Sequence, residues 1–209
     1  MSRALQATLV DSLLSRRRAA PAGLAQAGAV LFISALTALA AQVSFSIPFT
    51  QVPFTLQPMV VLMGGLALGP LMGMSSQVVY LAAGVVGLPV FAFDPSLPPG
   101  ILRLLGPTGG YLLAYPFAAF LTGYLGARGF DRRYATSVLA MAAGLLVIYA
   151  SGVSWLAWLA LLGGQSAAIG LGAALAAGFY PFVLGDAVKL LFAAGVVPGL
   201  WKLFGRRAG

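Results

Sequence analysis

Two long stretches of the chain are apolar and uninterrupted by charge. No charged side chain lies between Arg18 and Asp94, and again none lies between Tyr134 and Gly185. The apolar runs are continuous and do not alternate with polar residues, which excludes a transmembrane β-barrel. A helix that crosses hydrocarbon needs about 20 apolar residues and satisfies its own backbone hydrogen bonds. The pattern therefore predicts an all-α integral membrane protein.

Breaks in the apolar runs divide them into six predicted membrane crossings. Five prolines between positions 89 and 107 mark a loop, and Gly69-Pro70 separates two neighbouring helices. The Gly-rich stretch 151–178 is expected to hold an external or re-entrant helix. We therefore expect one transmembrane domain over residues 1–209, with a six-helix bundle from about 24 to 203. The predicted crossings are residues 24–43, 57–68, 70–88, 108–127, 135–152 and 178–202.

The positions of the basic residues orient these crossings. The formal net charge is +8, and the basic residues form short clusters beside apolar runs, which indicates membrane orientation rather than nucleic-acid binding. By the positive-inside rule, the N-terminal segment 1–22 and the C-terminus are predicted to be cytoplasmic. The loops 44–56 and 89–107 then face outward. The three basic clusters are Arg3 with Arg16, Arg17 and Arg18; Arg128 with Arg132 and Arg133; and Lys202 with Arg206 and Arg207.

Composition narrows the possible chemistry. The chain has no Cys and no His, and Glu is also missing from its sequence, which removes disulfides and the usual zinc and di-iron ligand sets. The four Asp residues are scattered, which argues against a metal-dependent transferase acting on lipid headgroups. We expect no metal, no cofactor and no enzymatic activity.

Asp186 and Lys189 are the ionisable residues within a predicted crossing. Their spacing of three places them on one helical face, where the side chains can meet. If the last helix begins near position 178, Asp186 lies roughly 12 Å from its outer end. This depth suits the floor of an outward-facing pocket, although a purely structural ion pair is the alternative.

Further candidates lie near the predicted outer surface. Arg103 is a cation on the external side, where it could capture a carboxylate or remain a solvated loop residue. Thr55 and Gln57 could hydrogen-bond a neutral polar ring, or Thr55 could simply cap a helix. Aromatic residues that could wall an apolar pocket, or act as interfacial anchors, are Tyr80, Phe91, Tyr111, Tyr180 and Phe182.

Small residues on the first helix predict a close helix contact. Ser34 and Ala38 form a small-xxx-small pair. The partner helix could belong to this chain or to another subunit.

Five segments, in order from about residue 27 to 202, resemble the BioY family. These proteins are the biotin-specific substrate-binding components of energy-coupling factor transporters. The resemblance departs at Phe93 and Asp94, where an Asn would be a plausible ligand. The segments are AQVS at 41–44, VPFTLQ at 52–57, GLPVFA at 87–92, LGPTGGY at 105–111 and PFVLGDAVK at 181–189.

The resemblance implies a six-helix bundle with an occluded, outward-facing, high-affinity biotin site. Asp186 would accept hydrogen bonds from ureido N–H groups, and Lys189 would donate to the ureido carbonyl or to the carboxylate. Arg103 is the other candidate for the carboxylate. In this family, a small-xxx-small pattern docks the coupling subunit; Ser34 and Ala38 match it best.

The resemblance also implies partners. A coupling membrane subunit and two ATP-binding cassette ATPases would energise biotin uptake across the bacterial cytoplasmic membrane. The first alternative is a self-contained, ion-coupled transporter of a small organic acid or another vitamin, with Asp186 as the proton carrier. The second is an assembly subunit without a ligand.

Overall fold

The computed structural model describes Leu9 and residues 22–93 and 97–204 of the chain, and within these residues the backbone is mainly helical. The predicted N-terminal cytoplasmic segment, apart from Leu9 and Ala22, lies outside the described residues, as do Asp94, Arg206 and Arg207. The helices are α1 (Ala22–Gln42), α2 (Gln57–Leu68), α3 (Pro70–Val85), α4 (Leu102–Leu105), α5 (Gly109–Leu125), α6 (Tyr134–Leu162), α7 (Ala167–Gly178) and α8 (Tyr180–Phe204). Strands β1 (Ser44–Phe45) and β2 (Phe54–Thr55) form a short antiparallel hairpin.

Each predicted crossing coincides with one helix, but the lengths differ from expectation at one place. The predicted fifth crossing ended at residue 152, whereas α6 continues to Leu162. Gly152 lies inside α6, and its missing side chain makes room for the ring of Tyr111. The helix ends instead just before Gly164, which has a φ of 85° that favours glycine. The rest of the Gly-rich stretch forms α7, as predicted for an additional helix.

Three helical stretches among the described residues are long and apolar enough to cross a membrane. At 12 residues, α2 is shorter than a full crossing requires. Its end follows from Gly69, whose φ of 84° turns the chain directly into Pro70 at the start of α3. The three stretches are Gly23–Gln42, Tyr134–Leu162 and Gly170–Leu203.

Helix α5 lies at the centre of the packing, against α2, α3 and α6. Ala118 and Ala119 on α5 are completely buried. A side chain at Gly65 of α2 would overlap the backbone of Ala119, and one at Gly123 of α5 would overlap Gly69. Such small residues allow two helix backbones to approach closely. Part of the unusual glycine content therefore serves this contact.

The small-residue pair on α1 packs within the chain. Ser34 is 7% exposed, and its hydroxyl donates to the carbonyl of Ser76 on α3 over 2.6 Å. Ala38 is half-buried against the core. The apolar residues that α1 exposes are others, Leu24 and Leu31 among them. Docking of a partner on Ser34 and Ala38 stays a prediction, and in this arrangement their face is occupied by α3.

The bundle has two different ends. At the end that we call the basic end, Arg128, Arg132, Arg133 and Lys202 surround the α5–α6 connection and the last turn of α8. Leu9 packs into the core near this end, in a cluster with Leu66, Ala140 and Val197. The opposite end carries the β-hairpin, the segment between α3 and α5, and α7.

Candidate ligand-binding site

The end opposite the basic end contains an open cavity of about 710 Å³, a volume that includes the open solvent at its mouth. Its wall draws residues from the hairpin, from the connection before α5, and from α2, α5, α6 and α8. The lining residues are Val52, Pro53, Thr55, Gln57, Pro58, Phe91, Ala92, Arg103, Thr108, Tyr111, Leu112, Tyr115, Ile148, Tyr149, Phe182, Asp186 and Lys189.

The ion pair predicted from the spacing of Asp186 and Lys189 forms on α8. Lys189 Nζ lies 2.5 Å from Asp186 Oδ1, and both side chains are largely buried. The ammonium also donates to the carbonyl of Thr55 over 2.6 Å and lies 3.7 Å from the centroid of the Phe54 ring. A buried ammonium is costly unless it is paired and hydrogen-bonded, and these contacts meet that need. The pair thus joins α8 to the start of α2.

The second oxygen of Asp186 accepts a hydrogen bond from Tyr149. The Tyr149 hydroxyl lies 2.5 Å from Asp186 Oδ2, a distance typical of a charge-assisted hydrogen bond. The sequence analysis did not single out Tyr149. A signal was present, because a tyrosine hydroxyl within an apolar crossing must find a polar partner.

Arg103 is a buried residue and not a solvated loop cation. It lies on the short helix α4 and is 7% exposed. Its Nη1 donates to the carbonyl of Ala92 over 3.1 Å, and its Nε donates to the carbonyl of Pro98 over 3.2 Å. These bonds draw the segment between α3 and α5 together over the cavity, and they hold the guanidinium in its wall.

Thr55 and Gln57 line the cavity, whereas Tyr80 lies behind its wall. Gln57 Nε2 donates to the Tyr80 hydroxyl over 2.5 Å, and Tyr80 in turn donates to the carbonyl of Val90 over 3.3 Å. Tyr80 is 1% exposed. Tyr80 is therefore not among the residues that line the cavity, and it contacts the cavity only through the Gln57 side chain. A role for Tyr80 in ligand binding stays a prediction.

The other aromatic candidates separate into two groups. Phe91 and Tyr111 line the cavity; the Tyr111 hydroxyl donates to the carbonyl of Gly178 at the end of α7 over 2.8 Å. Phe182 also lines it and stacks on Phe54, with ring centroids 6.2 Å apart. Tyr180 is exposed. The lining residues Leu112, Tyr115 and Ile148 are not among those predicted from the sequence.

A second, more open groove lies next to the cavity and shares Val52 with it. The tip of the β-hairpin lies across this groove, and Thr50 Oγ1 donates to the carbonyl of Ala177 on α7 over 2.5 Å. On the far side of the cavity, Trp155 on α6 donates to the carbonyl of Gly106 over 2.9 Å. One hydrogen bond thus connects the hairpin to α7, and another connects the segment between α3 and α5 to α6.

The cavity combines polar groups with apolar walls. The lining includes aromatic and aliphatic side chains. Its polar groups are the carboxylate of Asp186, the ammonium of Lys189, the carboxamide of Gln57 and the guanidinium of Arg103. This arrangement suits a small, partly apolar molecule with hydrogen-bonding groups at both ends. Among the described residues, no group of three His, Cys, Asp or Glu side chains could hold a metal ion.

Comparison with known proteins identifies a family. The family model described as "BioY family" matches residues 13–206. The probable biotin transporter BioY of Pyrococcus horikoshii is 44% identical over 159 residues, which cover 76% of this chain and 85% of that protein. The biotin transporter BioY of Thermotoga maritima is 37% identical over 158 residues, covering 76% and 86% of the two chains.

A solved structure has a similar fold. The crystal structure of the S-component for biotin from an ECF-type ABC transporter matches this chain with a TM-score of 0.71 at 25% sequence identity. The match covers 86% of this chain and 92% of that one.

Proposed function

The chain belongs to the BioY family, and we propose that it is the biotin-binding membrane subunit of a biotin uptake system. Its family is one of transporters, and its long apolar helices make it a multi-pass membrane protein. The observation that carries the proposal is the cavity itself. Its lining brings Asp186 and Lys189 of α8 together with Arg103 of α4 and with aromatic and aliphatic side chains.

Biotin has matching chemistry. It presents two ureido N–H donors and one ureido carbonyl on an apolar bicycle, and a carboxylate at the end of an aliphatic chain. In the proposed complex Asp186 accepts from a ureido N–H, and Arg103 meets the carboxylate through its planar fork. Lys189 donates to the ureido carbonyl.

The remaining lining residues complete the proposed site. Gln57 and Thr55 add hydrogen-bonding groups beside the ion pair, while Phe91 and Tyr111 cover the bicycle and chain. Tyr80 acts indirectly, because its hydroxyl holds the Gln57 carboxamide. Ligands that lack the ureido group would leave these buried polar groups unpaired, which is an effective basis for discrimination.

The proposed membrane arrangement has six crossings, made by α1, α2, α3, α5, α6 and α8. The basic end faces the cytoplasm, because Arg128, Arg132, Arg133 and Lys202 cluster there. The cavity then opens to the outside of the bacterial cytoplasmic membrane. In this arrangement α7 does not cross, because α6 and α8 alone return the chain from the basic residues at the α5–α6 connection to Lys202 on the same side.

We further propose that partner subunits energise transport. The chain carries no nucleotide-binding motif, and its similar solved structure is described as part of an ECF-type ABC transporter. A coupling membrane subunit and two ATP-binding cassette ATPases would supply the energy. Biotin accumulation in liposomes that contain this chain alone, abolished by an uncoupler, would instead support the ion-coupled alternative.

The test of the binding proposal is a calorimetric titration of the detergent-purified chain with biotin, thiamine and riboflavin. We expect biotin alone to bind tightly, and Asp186→Asn and Lys189→Ala to abolish binding. Lys202→Ala is the matched control for Lys189→Ala, because Lys202 is exposed at the basic end. Binding of thiamine or riboflavin in place of biotin would overturn the proposed substrate. The absence of binding by all three would overturn the binding-subunit function.

A further inference from the structure

Tyr149 is a cavity residue whose hydroxyl has no role in the function proposed above. It lies on α6, is 6% exposed, and packs edge-on against Phe179 with ring centroids 4.9 Å apart. Its hydroxyl contacts Asp186 Oδ2 over 2.5 Å. Because an ionised carboxylate can only accept, the tyrosine must be the donor. The single Tyr149 proton is therefore committed to Asp186, and the hydroxyl can offer a ligand only its lone pairs.

The Asp186 carboxylate is held from two sides. Tyr149 on α6 donates to Oδ2, and Lys189 on α8 contacts Oδ1, each over 2.5 Å. A carboxylate has about four lone-pair sites, so these two donors leave acceptor capacity on a side chain that lines the cavity. Asp186 Oδ2 and the Tyr149 hydroxyl oxygen thus form an edge of two adjacent acceptors.

We propose that Tyr149 and Asp186 together form one acceptor site for a single N–H group of a cyclic urea, and that Tyr149 determines specificity for that N–H. The inference rests on the proposed function. The two N–H bonds of a cyclic urea point away from each other, so acceptors 2.5 Å apart can receive only one of them. A ligand without that N–H leaves the remaining acceptor capacity of both oxygens unused and loses the hydrogen bond they would accept.

The test is a thermodynamic cycle between the protein and the ligand. Biotin and two analogues, each methylated on a different ureido nitrogen, are titrated into the wild type and into Tyr149→Phe. We expect Tyr149→Phe to weaken biotin binding by up to about tenfold, the upper end for one hydrogen bond between neutral groups. For the analogue methylated on the nitrogen that faces Tyr149, the same substitution should weaken binding by a factor at least about fivefold smaller. The reason is that methylation has already removed the hydrogen bond to Tyr149. For the other analogue, the losses of binding free energy caused by methylation and by Tyr149→Phe should add.

Two matched variants control for a merely structural effect. Tyr111→Phe also removes a cavity hydroxyl, but that hydroxyl donates to the carbonyl of Gly178. Its effect should add to methylation of either nitrogen. Tyr134→Phe removes a hydroxyl that donates to the carbonyl of Leu191, outside the cavity. It should leave biotin binding unchanged. Thermal unfolding without ligand establishes that each variant is folded.

The outcomes separate this inference from the proposed function. If the wild type fails to bind biotin, the proposed function is wrong. If it binds biotin but Tyr149→Phe adds fully to both methylations, Tyr149 is not part of the N–H site. Should Tyr149→Phe be unstable, a fluorinated tyrosine at position 149 keeps the ring and weakens its oxygen as an acceptor. We then expect a smaller loss of biotin affinity, again absent with the same methylated analogue, and a loss equal for all three ligands would contradict the inference.

Discussion

Asp186 at the cavity end and Asp131 at the basic end are both buried, and each carboxylate meets one cation and one aromatic donor. Asp186 is paired with Lys189 and accepts from Tyr149. Asp131 accepts from Trp201 Nε1 over 2.5 Å and lies 3.4 Å from Arg132 Nε. The chemical composition of the two clusters is similar, and their surroundings differ.

The Asp131 cluster joins parts of the chain to one another. It follows a π-helical turn, Gly126–Phe130, and connects the α5–α6 link to the last turns of α8 through Trp201. The guanidinium of Arg132 covers the Trp201 ring at 3.6 Å, a favourable cation–π distance. Burial raises the pKa of Asp131, while the Trp201 hydrogen bond and the Arg132 charge oppose that rise.

The Asp186 cluster instead lines a cavity. Its donors come from α6 and α8, which are long helices, and these donors leave part of the carboxylate facing the cavity. The comparison teaches that a buried aspartate with good partners is not by itself a binding residue. What distinguishes the two is the cavity that Asp186 lines.

Among substitutions that test this comparison, we expect the largest effect on stability and binding at the Asp186–Lys189 pair. Removing one partner of a buried ion pair leaves an uncompensated charge and typically costs about 3–5 kcal/mol. Asp186→Asn should therefore lower thermal stability, and adding Lys189→Met should recover most of it. Biotin binding should be lost in both variants. Recovery of binding in the double variant would show that the pair acts only structurally.

An intermediate effect is expected at Arg103. Arg103→Lys keeps the charge but cannot reproduce the bonds to the carbonyls of Ala92 and Pro98. We expect biotin binding to weaken about 10–100-fold, in line with about 1.5–3 kcal/mol for hydrogen bonds to a charged group. Biotin amide, which lacks the carboxylate, should lose much less. Equal losses for biotin and its amide would remove Arg103 from the carboxylate site.

The smallest effect on binding is expected at Asp131. Because its pKa is raised in the folded state, the folded protein holds this proton more tightly than the unfolded chain does. The contribution of Asp131 to stability is therefore greatest at low pH and falls as the pH rises through the raised pKa. Asp131→Asn should flatten that part of the pH dependence of thermal unfolding, and biotin affinity should stay within about twofold of the wild type. If the stabilities of the wild type and Asp131→Asn depended on pH in the same way, or if the variant lost much of its biotin affinity, the distinction between Asp131 and Asp186 would be contradicted.

Much of the architecture was predictable, because lipid imposes a simple rule on sequence. The structure has a helix at each of the six predicted positions, since uncharged apolar runs and breaks such as Gly69-Pro70 are local signals. That all six cross the membrane stays a prediction. The end of α6 was placed ten residues too early. A glycine in a helix can serve packing, as Gly152 does beneath Tyr111, and sequence does not distinguish that use from a break.

The candidate site was partly predictable for a similar reason. The pairing of Asp186 with Lys189 follows from helical spacing, so it could be read locally. The burial of Arg103, the position of Tyr80 behind Gln57 and the bond from Tyr149 to Asp186 could not. Each depends on a contact between separate elements of the fold, and no local rule specifies such contacts.

The sequence by itself determined that this chain is a helical membrane protein, approximately where its helices lie, and which residues carry the ion pair in the last helix. These properties depend on composition and on periodicity over a few turns. The tertiary structure decided which polar groups share the cavity. Lys189 meets the carbonyl of Thr55 across 134 positions, and Tyr149 meets Asp186 across 37. Contacts between residues so far apart in the sequence depend on how whole helices pack, through close approaches such as Gly65 against Ala119. They therefore form only once the chain has folded.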